Sequence, residues 1–221
     1  MGRRNIKYWG RMCLEYTGVS MGIALALLVF LAGGWLMPQE GGIQQGICVL
    51  YPVYLVLSGI FVLAIGAITN FQTYMPVLIS LNATRKESLL GVLGYTAGCA
   101  AAITGVIAVV WMMPSSEVEN VPELLAAVMG ILLIFGSIGV LAGAVAGRFG
   151  KKGKVFTIIF CAVCGGGFGG TAAALPQKSD NALLEFLMNF RPLWALALGV
   201  VLYLLAGAAA MMLIRKIEAR A

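Results

Sequence analysis

"CVLYPVYLVLSGIFVLAIGAIT", residues 48–69, runs without a single charged side chain. A helix needs roughly 20 such residues to cross a hydrocarbon core about 30 Å thick. Five further apolar stretches of comparable length occur, at about 19–37, 88–113, 123–147, 155–175 and 193–214. Membrane β-barrels are written instead as alternating segments of about 10 residues, so continuous runs of this length predict helices.

The whole chain agrees with that reading. Of its 221 residues 61% are hydrophobic and 11% charged, and mean hydropathy is +0.96. Soluble domains carry about 25% charged residues. The expectation is therefore an all-α integral membrane protein with six transmembrane helices, forming a single transmembrane domain over 1–221. Histidine is absent, which removes the commonest general base and metal ligand.

Basic residues orient the spans. Arg3, Arg4, Lys7 and Arg11 precede the first span, and Arg85 and Lys86 follow the second. Arg148, Lys151, Lys152 and Lys154 lie between the fourth and fifth, and Arg215, Lys216 and Arg220 follow the sixth. Thirteen of the fifteen Lys and Arg thus fall on one side, with only Lys178 and Arg191 opposite. The positive-inside bias makes that side cytoplasmic, with both termini inside a multi-pass protein of the cell inner or plasma membrane. Trp35, Trp111 and Trp194 mark the outer ends, where an aromatic belt belongs. Pro38, Pro114, Pro122, Pro176 and Pro192 mark them as helix breakers. The net charge of +6 belongs to this bias rather than to nucleic-acid binding.

Three segments outside the spans carry their own pattern. In residues 1–18, Ile6, Trp9, Met12, Cys13 and Tyr16 recur at helical spacing, with Arg4, Lys7 and Arg11 on another face. This predicts an amphipathic helix lying in the inner interface, a disordered basic tail being the competing reading. No convincing cleavage site follows in "LAGGWLMPQE", so the first span is expected to be retained. Residues 176–192 include "DNALLEFLMNF", too apolar for a free loop and too short to cross, which suits a re-entrant or interfacial segment before the last span.

The third segment follows the second span. A helix from Cys48 to Leu81 would reach about 50 Å at 1.5 Å per residue, longer than the hydrocarbon core is thick. Its end must project inward or turn along the membrane. Phe71, Tyr74, Met75 and Leu78 keep helical spacing, and Pro76 favours a break or a new start, so a short amphipathic helix is expected at the inner surface. Asn82 suits a helix end, since Asn tolerates the left-handed conformation. Thr84 and Glu87 form a T-x-x-E capping box, making Thr84 the N-cap of the third span. Arg85 and Lys86 then stand in its first turn, against the preference of the helix dipole. The triplet Asn82-Ala83-Thr84 resembles a glycosylation site but falls on the cytoplasmic side.

Several motifs carry less than they promise. Cys161-x-x-Cys164 has redox or half-zinc spacing but lies inside a span without partner ligands, and the five cysteines imply no secreted disulfide framework. Gly165-x-Gly167-x-x-Gly170 matches the dinucleotide fingerprint without the strand–turn–helix it requires. Gly139, Gly143 and Gly147 recur four apart on one face of the fourth span, and Gly94, Gly98 and Ala102 do so in the third. Small residues in this pattern let helices approach closely.

No span has Asp, Glu, Lys or Arg in its interior. Proton- and voltage-coupled proteins place such groups at membrane depth, so proton coupling is unexpected; sodium coupling through carbonyl and hydroxyl oxygens stays open. "GRFGKKGKV" at 147–155 lacks the spacing and hydroxyl of a Walker loop, so no enzyme activity, metal or cofactor is expected in this chain. If solute moves uphill, a separate protein supplies the ATPase.

"LNATRKESLLG", residues 81–91, resembles the small-residue–Thr/Ser-Arg-Lys segment after the second span of bacterial ABC-2-type permeases, the membrane subunits of ABC transporters. The architecture resembles that family over nearly the whole chain, the motif over about ten residues. Thr84, Arg85 and Lys86 match it, while Asn82 stands where the family often has Gly. The resemblance implies a cytoplasmic coupling helix at about 71–83, with Tyr74, Pro76, Leu78, Asn82, Thr84, Arg85, Lys86 and Glu87 in the coupling region. Arg148, Lys151 and Lys152 would make the second cytoplasmic contact. It implies as partners an ABC ATPase holding ATP and Mg, a second permease subunit and the lipid bilayer, with export as the activity. An ATP-independent channel or carrier, and a non-transporting assembly or immunity protein, are the alternatives.

Overall fold

A computed structural model describes residues 3–32, 42–76, 84–112, 120–150, 152–153, 155 and 192–215. The expected span at 155–175 apart from Val155, the segment at 176–192 apart from Pro192, the two glycine- and cysteine-rich motifs within 161–170, and Leu78, Asn82 and Lys151 lie outside the described residues.

The described chain is helical. It consists of α1 (Arg3–Ala32), α2 (Gly42–Thr69) with a π-helical turn at Asn70–Tyr74, α3 (Arg85–Trp111), α4 (Val121–Phe149) and α5 (Pro192–Arg215). Each of the five helices is long and apolar enough to cross a membrane. Outward faces stay apolar: Phe61 is 62% exposed and Leu204 66%. Left in water, such surface forgoes the gain of about 25 cal/mol per Å² that burial brings, whereas lipid tails accept it.

Contacts between helices fix their directions. Tyr8 lies near Tyr74, with ring centroids 6.3 Å apart, while Ser20 bonds Ser58 at 3.0 Å, so α1 and α2 are antiparallel. Trp9 packs on Gly91 and Cys13 beside Gly98, so α1 and α3 run the same way. Gly139 meets Ala64 and Gly143 meets Phe71, making α4 parallel to α2. Gly130 meets Ala195, and Tyr203 lies near Gly136, so α5 runs parallel to α4. The start of α1, the end of α2, the start of α3 and the ends of α4 and α5 therefore share one end of the bundle. Lys7, Arg11, Arg85, Lys86, Arg148 and Lys152 all belong to that end, and Trp111 and Trp194 to the other.

The N-terminal segment differs from expectation. No separate interfacial helix precedes the first span: one unbroken helix runs from Arg3 to Ala32. Trp9 and Met12 are buried in the core, and Cys13 and Tyr16 pack against it. The physical reason is register. The inward stripe continues through Thr17, Ser20 and Ala24, all buried, and Gly91 leaves room on α3 for the Trp9 ring. Lys7 and Arg11 stay exposed, and Arg11 pairs with Glu15 at 2.8 Å on the surface, where such pairs contribute little.

The break or new start expected at Pro76 falls at the edge of the described stretch. Helical backbone continues from α2 through the π turn to Pro76. The π register hands the Met75 amide to the Asn70 carbonyl. Pro76 comes directly after that bond and brings no N–H of its own to place.

Glycine decides how near the helices come. A Cβ on Gly139 would stand 2.8 Å from the Ala64 Cα, and one on Gly143 would stand 2.6 Å from the Phe71 ring. The stripe does not extend further: a Cβ on Gly147 or on Gly94 would meet nothing within 4 Å among the described residues, and one on Gly98 only the Cys13 sulfur at 3.3 Å. The pair the sequence reading missed is Gly130 and Gly199, where a Cβ on Gly199 would stand 2.5 Å from the Gly130 carbonyl oxygen. Overpacking such a contact costs typically about 1–3 kcal/mol. Gly143→Leu should accordingly lower the thermal unfolding midpoint in detergent, and Gly147→Leu should leave it unchanged, as scanning fluorimetry would show.

Candidate functional site

The basic end of the bundle gathers the residues singled out by sequence. Thr84 has extended backbone geometry and caps α3. Its hydroxyl accepts from the Glu87 amide at 3.2 Å, and its own amide donates to the Glu87 carboxylate at 3.4 Å. The capping box is reciprocal, satisfying two backbone donors that a helix start leaves open. Glu87 also brings negative charge to the positive end of the helix dipole. That offsets Arg85 and Lys86 in the same turn, of which Lys86 is exposed and Arg85 half-buried.

Across from this cap ends α2. Tyr74 closes the π turn half-buried, beside Tyr8, and Pro76 is exposed. Arg148 and Lys152 lie where α4 ends at Gly150, whose φ of 58° is a left-handed geometry suited to glycine. The Arg148 guanidinium stacks 5.2 Å from the centre of the exposed Phe149 ring. The structure thus brings Tyr74, Pro76, Thr84, Arg85, Lys86, Glu87, Arg148 and Lys152 to one end. The glycines divide between interfaces: Gly139 and Gly143 lie on α2, and Gly98 beside α1.

Just inside this end lies an aromatic and polar layer that sequence reasoning missed. Tyr16 and Tyr95 pack edge to face at 5.3 Å, and Trp9 lies 6.3 Å from Tyr95. Gly66 on α2 faces the Tyr95 hydroxyl and the Tyr16 ring, so the layer joins α1, α2 and α3. Among its buried polar atoms, Ser88 Oγ and both amide atoms of Asn70 have no hydrogen-bond partner among the described residues, while Thr17 and Tyr95 stand against the Cys99 thiol. Each such group costs about 1–3 kcal/mol if left unpaired. Asn70 is 0% exposed and opens the π turn, a distortion frequent at functional sites. Its register one turn beyond Gly66, which faces Tyr95, sets it opposite the first turns of α3.

The signal for this layer was present but dispersed. Tyr16, Thr17, Asn70, Ser88 and Tyr95 are ordinary as individual letters within apolar runs. Only the crossing of three helices groups them. A separate tie joins α5 to α3, where the Tyr203 hydroxyl meets both Thr96 and the Leu93 carbonyl. Among the described residues no three His, Cys, Asp or Glu stand together as metal ligands. What the layer offers chemically is neutral oxygen and amide groups held within apolar helices.

Comparison of the chain with protein-family models, with curated proteins and with solved structures finds no match. Function must therefore be argued from the site.

Replacing the cap tests the local architecture. Thr84→Ala should destabilise the protein by about 1 kcal/mol, the usual cost of losing an N-cap. It should also speed amide exchange in the first turn of α3, measured by hydrogen–deuterium exchange, while Thr84→Ser restores protection.

Proposed function

We propose that this chain is the transmembrane subunit of an ABC-2-type transporter, energised by a separate ATPase that docks on the basic end of the bundle. The observation that carries this reading is the capped start of α3. The reciprocal Thr84–Glu87 box holds Arg85 and Lys86 in a fixed first turn beside the end of α2. A rigid cationic turn at the bundle end is a surface on which a soluble partner can transmit movement directly to a spanning helix. Arg148 and Lys152, at the end of α4, supply the second contact. ATP and Mg bind the partner, two membrane subunits pair, and export is the direction the family resemblance implies.

A sixth crossing belongs to this proposal. Because α4 and α5 run parallel, the chain leaves α4 at the basic end and enters α5 at the opposite one. That placement of the two helix ends supports the span expected at 155–175. With it, both chain ends fall at the basic end, which positive-inside bias makes cytoplasmic.

A second reading is favoured by the unpartnered buried oxygens of Asn70 and Ser88. Neutral oxygens inside a bundle free of charged side chains are the donors a sodium-coupled carrier uses, and such a carrier needs no ATPase.

One experiment separates the two. Purified from its native membrane in mild detergent, the chain should bring an ATPase with it. The double variant Arg85→Glu/Lys86→Glu should lose that ATPase to background while keeping its size-exclusion profile. Solute uptake by the chain alone in liposomes, driven by a sodium gradient without ATP, would overturn the transporter-subunit reading in favour of the carrier.

A further inference from the structure

Two of the five cysteines, far apart in sequence, meet in the fold. The Cys99 sulfur on α3 lies 3.4 Å from the Cys13 sulfur on α1 and 3.5 Å from the Cys13 carbonyl oxygen. Both are free thiols. Their meeting depends on Gly98, where a Cβ would stand 3.3 Å from the Cys13 sulfur. Glycine at that position is what lets the α1 thiol rest against α3.

The two thiols are not equivalent. Cys99 is 0% exposed, whereas Cys13 is half-buried. A reagent can reach Cys13 and cannot reach Cys99 directly. A buried structural cysteine is inert because apolar surroundings keep it a thiol and nothing reactive approaches it; here the nearest reactive neighbour is the other sulfur. Thr17 and Tyr95 stand against the Cys99 thiol. Closing the gap to a bond of about 2.04 Å asks for side-chain rotation of the two cysteines toward one another.

We propose that Cys13 and Cys99 form a thiol–disulfide exchange site that joins α1 covalently to α3, with small membrane-permeant disulfides as the oxidant class. In the first step the Cys13 thiol gives up its proton and its sulfur attacks one sulfur of the reagent. The reagent's S–S bond breaks, and one half leaves as a thiolate that takes up that proton. In the second step the Cys99 sulfur, losing its proton, attacks Cys13 in the mixed disulfide and expels the other half as a second thiol. Two protein thiols are oxidised by two electrons, and one small disulfide is reduced to two thiols. Cys13 is the attacking residue and Cys99 the resolving one. The bond encloses the chain between them, α2 included, so oxidation fixes α1 against α3 while reduction frees it. The inference stands independently of what the protein transports.

The test uses the full chain in detergent with Cys48, Cys161 and Cys164 replaced by Ser, treated with 4,4′-dithiodipyridine. The expected result is release of two thiopyridone molecules per chain, and one peptide pair linked through Cys13 and Cys99 by mass spectrometry. The link should be reversed by dithiothreitol. In the further variant Cys99→Ser, release should stop at one and leave Cys13 as the mixed disulfide. Peptide mapping of the oxidised wild-type chain gives the same readout if the triple variant does not fold. A stable mixed disulfide on Cys13 with Cys99 still alkylatable after denaturation would overturn the proposal. So would a link found only between chains.

Discussion

Between apolar helices surrounded by lipid tails, burial supplies little net attraction, and contact strength depends on how closely two backbones can approach. In this bundle α4 meets that constraint on two faces. Gly139 and Gly143 admit α2, and Gly130 with Gly199 admits α5. Side chains at these points would push the helices apart and loosen every contact built on them, including the placement of Phe71 at the π turn. The remaining helices assemble around this pair of contacts. On the opposite side of α2, Ser20 and Ser58 bond directly, the kind of polar link that holds helices where water is absent.

Polarity then sorts itself along the bundle. The basic side chains gather at one end, next to a cap whose two hydrogen bonds remove open backbone donors. Directly inside lies the layer of Tyr16, Thr17, Asn70, Ser88 and Tyr95. Unpaired buried oxygen is costly, and the buried polar groups of the described residues near this end are concentrated in that layer. The docking proposal places a partner at the basic end, immediately beneath this layer. The two ends of the π-distorted α2 terminus are thereby close to both.

Much of the fold was legible because its causes are local. Uninterrupted apolar length specifies a helix in hydrocarbon, since every backbone group must find its partner within the segment. The T-x-x-E box at Thr84 and Glu87 was readable because both partners lie within one turn. The inward stripe of Trp9, Met12 and Tyr16 was also visible, but its destination was misjudged. An apolar stripe facing a membrane surface and one facing neighbouring helices look alike in sequence. What settled the matter was Gly91 on α3, dozens of positions away.

The sequence alone determined that the described spans are helices, where the basic charge collects, and how α3 begins. These depend on side-chain hydropathy, charge and hydrogen bonds within a few residues. Tertiary structure alone decided that α1 is one helix packed in the core, that Gly130 and Gly199 meet, that α5 parallels α4 and that Cys13 touches Cys99. Each of these is a contact between distant residues, and helical periodicity says only which face a residue occupies. Which other face it meets depends on where glycine lets two backbones close.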